Sequence, residues 1–215
     1  MHTKFLPSFV KRRSRITKKQ TKSLESLSKF SVNTIHEIID LSAHFDKCFL
    51  EIGFGNAENI IFQAINNPRS LFIGSEVYMS GIGTLVSSIK ENKIKNIKVF
   101  SDDIRFLLDQ RPEKVFDSVV IICPDPWPKE KHHKRRLINK YFLKMLHDFM
   151  KDDSNLYIST DWKNYAESIS VTFKENKLFK PSSRKSFQKD SFSKFEKRGI
   201  DEGRELFEFN YEKVS

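Results

Sequence analysis

Cysteine is nearly absent: Cys48 and Cys123 are the only two in 215 residues. Neither lies in a C-x-x-C pair or near a histidine pair, which argues against a zinc site and against a disulfide framework. Both sit among strand-forming residues and read as buried free thiols of a reducing compartment. Glycine is also scarce, at seven residues. No apolar run approaches the roughly 20 residues of a membrane span, and the N-terminus lacks the apolar core of a secretory signal. These absences predict a cytoplasmic protein with no bound metal and no membrane partner. An acid-poor N-terminus containing Arg and Ser leaves an organellar transit peptide as the alternative.

Positive charge is what the chain has in excess. Thirty-eight Lys and Arg against 28 Asp and Glu give a net charge of +10, which predicts an anionic partner. Lys4, Lys11, Arg12, Arg13, Arg15, Lys18, Lys19 and Lys22 all precede the first acid, Glu25. Residues 1–30 therefore read as a basic N-terminal arm, and residues 31–215 as a single domain. Such a block repels itself and often contacts nucleic acid; a disordered solubilising tail is the alternative. Ser8-Phe9-Val10 supplies an apolar anchor that favours docking on the body.

Beyond the arm the pattern alternates. Strands are expected at 48–52, 71–74, 97–100, 116–123 and 156–159. Helices are expected at 57–66, 79–92, 104–108, 137–150 and 165–175. That alternation predicts an α/β fold, a mostly parallel twisted sheet with helices on both faces. Glu205 to Tyr211 alternates at period two, as an antiparallel C-terminal strand would.

Ligands of such sheets bind at the carboxyl ends of the strands. The first strand ends in Glu51-Ile52-Gly53-Phe54-Gly55-Asn56-Ala57, where Gly53 and Gly55 allow a tight turn and close approach. A dinucleotide site wants a third glycine, but that position is Glu58, an anion at the helix start that disfavours pyrophosphate. No G-K-[ST] follows, so a Walker loop is excluded. The loop suits a cation without phosphate, and S-adenosylmethionine, with its sulfonium and ammonium, meets that requirement. Glu51, Glu76, Asp103 and Asp125 follow four successive strands. Glu76 stands where a carboxylate takes ribose hydroxyls. Asp103 stands where one would accept from the adenine amino group, with Asp102 as the alternative.

After the fourth strand comes Pro124-Asp125-Pro126-Trp127-Pro128-Lys129, then Lys131-His132-His133-Lys134-Arg135-Arg136. A carboxylate can accept from a base edge, an indole can stack on the base, and cations can hold phosphates. Three prolines fix φ and hold Asp125 in place. Trp127 reads equally as a core or lid residue. Lys129, Lys131, Lys134, Arg135 and Arg136 read as phosphate contacts, the alternative being a solvated helix start. Cations there would oppose the helix dipole, a cost that suggests a partner. Asp161 is a further strand-end acid, and Phe195 reads either as a stacking residue or as part of a loop over the sheet.

These motifs resemble the bacterial tRNA (guanine-N7-)-methyltransferases over nearly the whole chain. Ser8-Phe9-Val10-Lys11-Arg12 with Arg15, Thr17 and Gln20 is similar to their basic N-terminal motif. Leu50 to Gly55 matches the cofactor loop, and Gly74-Ser75-Glu76-Val77 the ribose turn. Pro124 to Lys129 with Lys134-Arg135-Arg136 is the most specific stretch. Thr160-Asp161-Trp162 and Ser193 to Gly199 match the later motifs. The resemblance implies a Rossmann-like class I methyltransferase that uses S-adenosylmethionine to methylate guanine N7 in the tRNA variable loop. It implies cofactor contacts from Glu51, Gly53, Gly55, Glu76, Asp103 and Asp125, with Asp125 also catalytic. It implies substrate contacts from Lys129, Asp161, Ser193, Lys194, Phe195 and Glu196, and RNA contacts from Lys11, Arg12 and Arg15 besides the second basic run. Ala57 replaces a common glycine, Ser193 a usual threonine, and Gly203-Arg204 a common Gly-His pair. A monomer or a homodimer fits. A noncatalytic RNA-binding protein on this fold, a nicotinamide-dependent oxidoreductase and a small-molecule or protein methyltransferase are the competing readings.

Overall fold

Side-chain alternation along two short strands sets the architecture. Cys48, Leu50 and Ile52 of β1 (Lys47–Ile52) and Leu71 and Ile73 of β2 (Ser70–Ser75) join one apolar cluster. Phe49 and Phe72, between them, pack into a second cluster and stack with ring centroids 5.0 Å apart. Strands buried on both faces need covering layers on both sides. The computed structural model describes residues 4–10, 16–183 and 193–214, and those layers are helical.

The sheet also contains β3 (Ile97–Phe100), β4 (Phe116–Ile122), β5 (Met150–Thr160), β6 (Phe179–Pro181) and β7 (Phe207–Lys213), in the order β3-β2-β1-β4-β5-β7-β6. The first five of that order run parallel, with Leu50 opposite both Ile73 and Val119. β7 lies antiparallel to β5 and β6, as the period-two tail predicts. The order reverses between β1 and β4, the position where open α/β sheets leave a crevice.

Helices α1 (Lys18–Leu24), α2 (Ile35–Ser42), α3 (Glu58–Asn66), α4 (Met79–Glu91), α5 (Ile104–Leu107), α6 (Lys140–Phe149), α7 (Lys163–Lys174) and α8 (Lys194–Asp201) complete the described fold. The alternation expected between residues 48 and 175 is present. Three helices and one strand lie outside it: α1, α2, α8 and β6. β5 also begins at Met150, directly after α6 and well before Leu156. Its first half, Lys151-Asp152-Asp153-Ser154, is polar and carries no strand signal.

The basic run requires a correction. It forms its own 3₁₀ turn, Glu130–Arg135, and α6 starts only at Lys140, where Asn139 Oδ1 accepts from Phe142 N at 3.0 Å. Buried Leu137 and Ile138 lie between the two. The cations therefore do not stand at the N-terminus of α6, and the dipole argument for a partner lapses.

Within the first thirty residues, α1 opens with a capping box, in which Thr17 Oγ1 accepts from Gln20 N and Gln20 Oε1 from Thr17 N. It rides on α4 through Gln20 Nε2, which donates to Thr84 Oγ1 at 3.0 Å. Gly83 permits this approach, because a Cβ there would lie 2.9 Å from Gln20 Cβ. Phe30 and Val32 then bond Val99 of β3.

Asn96 ties the α3 end of the sheet together. Its buried Nδ2 group donates to the carbonyls of Ala64, Asn67 and Ser70 at 2.9–3.1 Å. Asn96→Ala leaves these acceptors without their donor and should cost about 1–3 kcal/mol in urea unfolding. A loss below about 0.5 kcal/mol would show that water replaces the amide.

Candidate active site

Glu51, next to last in β1, is buried and accepts from Asn59 Nδ2 at 2.7 Å. Burial pushes its carboxyl up to about 8; Asn59 opposes the rise, while Glu76 and Glu196 add to it. The chain leaves β1 through Gly53 and Gly55, both at positive φ, and enters α3 through Ala57. Ala57 is left-handed at φ 66°, a strain of about 1–2 kcal/mol that glycine would avoid. This accounts for the glycine usual there.

Glu76 follows β2 and clasps this loop. Its Oε2 accepts from Gly55 N at 2.8 Å, and its Oε1 from Val77 N at 2.6 Å and Tyr78 N at 3.0 Å. Three of roughly four acceptor positions of the carboxylate are thereby used. Desolvation raises its pKa, the three amides lower it, and Asp125 raises it.

Asp125 lies half-buried in the loop after β4. Cys123 at φ 46° and Trp127 at φ 47° flank it, so the proline loop holds two non-glycine residues in left-handed backbone. Strain of this kind persists only where the surroundings over-determine it. The surroundings include Arg136, whose Nε donates to Pro126 O at 3.0 Å and whose Nη2 donates to Asn164 Oδ1 at 2.6 Å. Its guanidinium also lies 4.9 Å from the Tyr165 ring centroid.

Three sequence expectations change here. Arg136 is 5% exposed and directs its donors into the loop, so it braces Asp125 and does not meet phosphate. Trp127 is 8% exposed, with Nε1 donating to Ser8 O at 2.9 Å and Arg135 4.7 Å from its ring centroid; it is a buried packing residue, not an exposed stacking platform. Asp103 caps α5, and its carboxylate accepts from Arg105 N, Nε and Nη2. The exposed acid of the 102–103 pair is Asp102.

The substrate motif arrives from the other end of the chain. Ser193 and Glu196 form the capping box of α8. Glu196 is fully buried, with Oε1 accepting from Ser159 Oγ at 2.9 Å. Lys194 N donates to Glu58 Oε2 at 3.1 Å. Ser193 and Lys194 line one open cleft together with Glu51, Gly53, Gly55, Glu58 and Asn59. Asp161 stands apart from this cleft lining, paired with Arg204 Nε at 2.8 Å and pressed against Gly199, where a Cβ would lie 2.6 Å from its Oδ2. Lys129, Lys131 and Lys134 are exposed and Arg135 is half-buried. Lys11, Arg12, Arg15 and the side chain of Phe195 lie outside the described residues.

The cleft fits S-adenosylmethionine by its donor set. A buried carboxyl whose pKa is raised by burial lines the cleft beside a loop at which a Cβ on Gly53 would meet nothing within 4 Å, and Glu58 opens α3. Among the described residues, no three His, Cys, Asp or Glu are placed to hold a metal ion, and no helix is long and apolar enough to cross a membrane.

Comparison with known proteins agrees with this geometry. Residues 46–209 match the model of a family described as putative methyltransferase. A tRNA (guanine-N(7)-)-methyltransferase of Nitrosococcus oceani is 35% identical over 97% of this chain and 91% of its own. One from Wolbachia pipientis is 38% identical over 81% and 77%. The chain belongs to the tRNA (guanine-N(7)-)-methyltransferase family. The solved structure of the 16S rRNA methyltransferase KamB superposes with a TM-score of 0.60 at 11% identity, covering 84% of this chain and 94% of that one; this likeness concerns the fold, that of class I methyltransferases.

Asn59, Arg105 and Tyr78 are site-building residues with no signal of their own in the sequence. Asn59 is detectable only as an amide in the first turn after the glycine loop.

A cation bound against Glu51 favours the ionised carboxylate, so near neutral pH its binding must expel a proton. The affinity for S-adenosylmethionine should therefore rise up to about tenfold per pH unit from pH 6 and level off above about 8. Calorimetry in buffers of different ionisation enthalpy measures this release; a pH-independent Kd with no buffer dependence would exclude it. Gly81, in the first turn of α4, lets Gly55 O approach, since a Cβ there would lie 2.2 Å from that oxygen. Gly81→Ala must displace the glycine loop, and cofactor affinity should fall at least about tenfold while the protein remains folded by circular dichroism.

Proposed function

We propose that the chain transfers the methyl group of S-adenosylmethionine to N7 of a guanine in the tRNA variable loop. The observation that carries this reading is one cleft shared by the glycine loop with Glu51 and by Ser193 and Lys194 of the substrate motif. A tRNA substrate is consistent with a cytoplasmic setting.

S-adenosylmethionine supplies an electrophilic methyl carbon on a cationic sulfur. Glu51, once ionised, would balance the positive methionine end, Glu76 would offer its remaining acceptor position to the ribose, and the Asp102–Asp103 loop would hold the adenine. Guanine N7 has an in-plane lone pair and needs no general base, so the chain's contribution is alignment. Asp125 accepts from the guanine N1–H and N2–H. As N7 gains the methyl group the ring gains positive charge, and those hydrogen bonds strengthen in the transition state, where added attraction raises kcat. Adenine presents an acceptor at N1 and leaves the carboxylate mismatched, a cost of roughly 1–3 kcal/mol. Lys129, Lys131, Lys134 and Arg135 hold backbone phosphates, since folded RNA is recognised largely through shape and backbone. Asp161 and the 193–196 segment bind the substrate.

The test is transfer of labelled methyl to unmodified tRNA, with nuclease digestion to identify the product nucleoside. The expected label is 7-methylguanosine, absent when the variable-loop guanine is replaced by adenine. Asp125→Ala should lower kcat by about 100-fold or more while tRNA affinity changes by less than about threefold, because phosphate contacts carry binding. Near-normal turnover in that variant would remove Asp125 from the reaction.

A further inference from the structure

Residues 4–10 cross the carboxyl edge of the sheet and touch three of the loops that carry its acids. Lys4 pairs with Asp109 beyond α5. The Phe5 ring is 8% exposed within the larger core cluster; it meets Phe106 edge-on at 5.5 Å and lies under the Arg105 guanidinium at 5.0 Å. That guanidinium is the one bound to Asp103. Ser8 O accepts from Trp127 Nε1 at 2.9 Å, in the loop of Asp125. Val10 O accepts from Tyr78 Oη at 2.5 Å, and the Tyr78 amide is one of the three that hold Glu76.

We propose that residues 5–10 form a positioning segment of the active site, which fixes the loops carrying Glu76, Asp103 and Asp125 relative to one another. The geometry has the form of a strap. One end is anchored in the core by an aromatic ring, and two backbone carbonyls farther along receive side-chain donors from two different loops. The loops that receive it carry features that need outside support, since Trp127 stands in left-handed backbone and Arg105 is a buried cation paired with Asp103. Neither acceptor on the strap is a side chain, so the contacts depend on its path and not on the identity of Ser8 or Val10.

The strap rests on the methyl-transfer reading for its kinetic readout only. Phe5→Ala releases the anchored end without changing any residue of the Glu76 and Asp125 loops. Hydrogen–deuterium exchange of the full-length variant, at a temperature where circular dichroism shows it folded, should quicken at residues 76–78 and 123–129 and stay unchanged in β5 and β7. Tyr78→Phe and Trp127→Phe each remove one donor, and kcat/KM should fall about three- to tenfold in each. In the double variant the loss should be smaller than the product of the two, because both donors hold one segment. Faster exchange confined to residues 4–10, or wild-type kcat/KM in all three folded variants, would overturn the proposal. If the wild-type protein methylates no tRNA, the methyl-transfer reading fails, while the exchange measurement still decides on the strap.

Discussion

The site depends on one buried carboxylate that accepts from three backbone amides. Glu76 reaches from the turn after β2 to Gly55 N while holding Val77 N and Tyr78 N of its own turn. A loop with two glycines at positive φ and a left-handed Ala57 has little intrinsic reason to keep one shape. Charge-assisted bonds to its amide are stronger than neutral ones and define where it lies. That loop leads into α3, which brings Asn59 to Glu51 and Glu58 to Lys194 N. Gly81 closes the arrangement from beneath, since any Cβ there would collide with Gly55 O.

The electrostatics are divided in space. The chain as a whole carries +10, while Glu51, Glu76 and Glu196 are buried, and the Glu51 pKa is raised first by its desolvation and then by the charges of Glu76 and Glu196. Like charges brought together out of water favour either a bound proton or a bound cation. In the proposed function a cation that displaces the proton uses burial the fold has already imposed on the acids, and the surface cations serve a different partner. Attraction between surface cations and phosphates is long in range and screened by salt, so it is compatible with an acidic cleft for a small cation.

The strands were legible because both faces of β1 and β2 are buried, giving continuous apolar runs, and the helices of the central segment because each has one apolar stripe. The acids at the strand ends were legible because the topology forces ligands to that edge. Apart from the apolar helix α2, most of what escaped detection was written in polar residues. Thr17-Lys18-Lys19-Gln20 and Ser193-Lys194-Phe195-Glu196 are both capping boxes, helix starts readable by rule, yet each is followed by few apolar residues, so periodicity gave no support. β5 begins at Met150, paired with Phe116, and Lys151 to Ser154 form an irregularity before pairing resumes at Asn155, which no local preference indicates. Arg136 and Trp127 were visible as residue types but not as partners: no spacing rule says that an arginine nine residues after Trp127 turns inward to Pro126 O, or that the indole meets a carbonyl 119 residues away.

Those two residues alter how the basic run divides its labour. Among five cations from Lys129 to Arg136 assigned to phosphate, three lysines face water, Arg135 lies half-buried over the Trp127 ring, and Arg136 is internal. Burying a guanidinium requires that its donors be satisfied, and Pro126 O with Asn164 Oδ1 does this while bracing the loop around Asp125. Lysine has no planar fork to bridge two such acceptors, which explains why the inward position is arginine. The gradient from lysine outside to arginine inside separates two roles under the proposed function: flexible point charges are left free for a polyanion, while the rigid fork of Arg136 holds the loop of Asp125. Under that reading, binding strength and base orientation rest on neighbouring residues that share a charge but not a role.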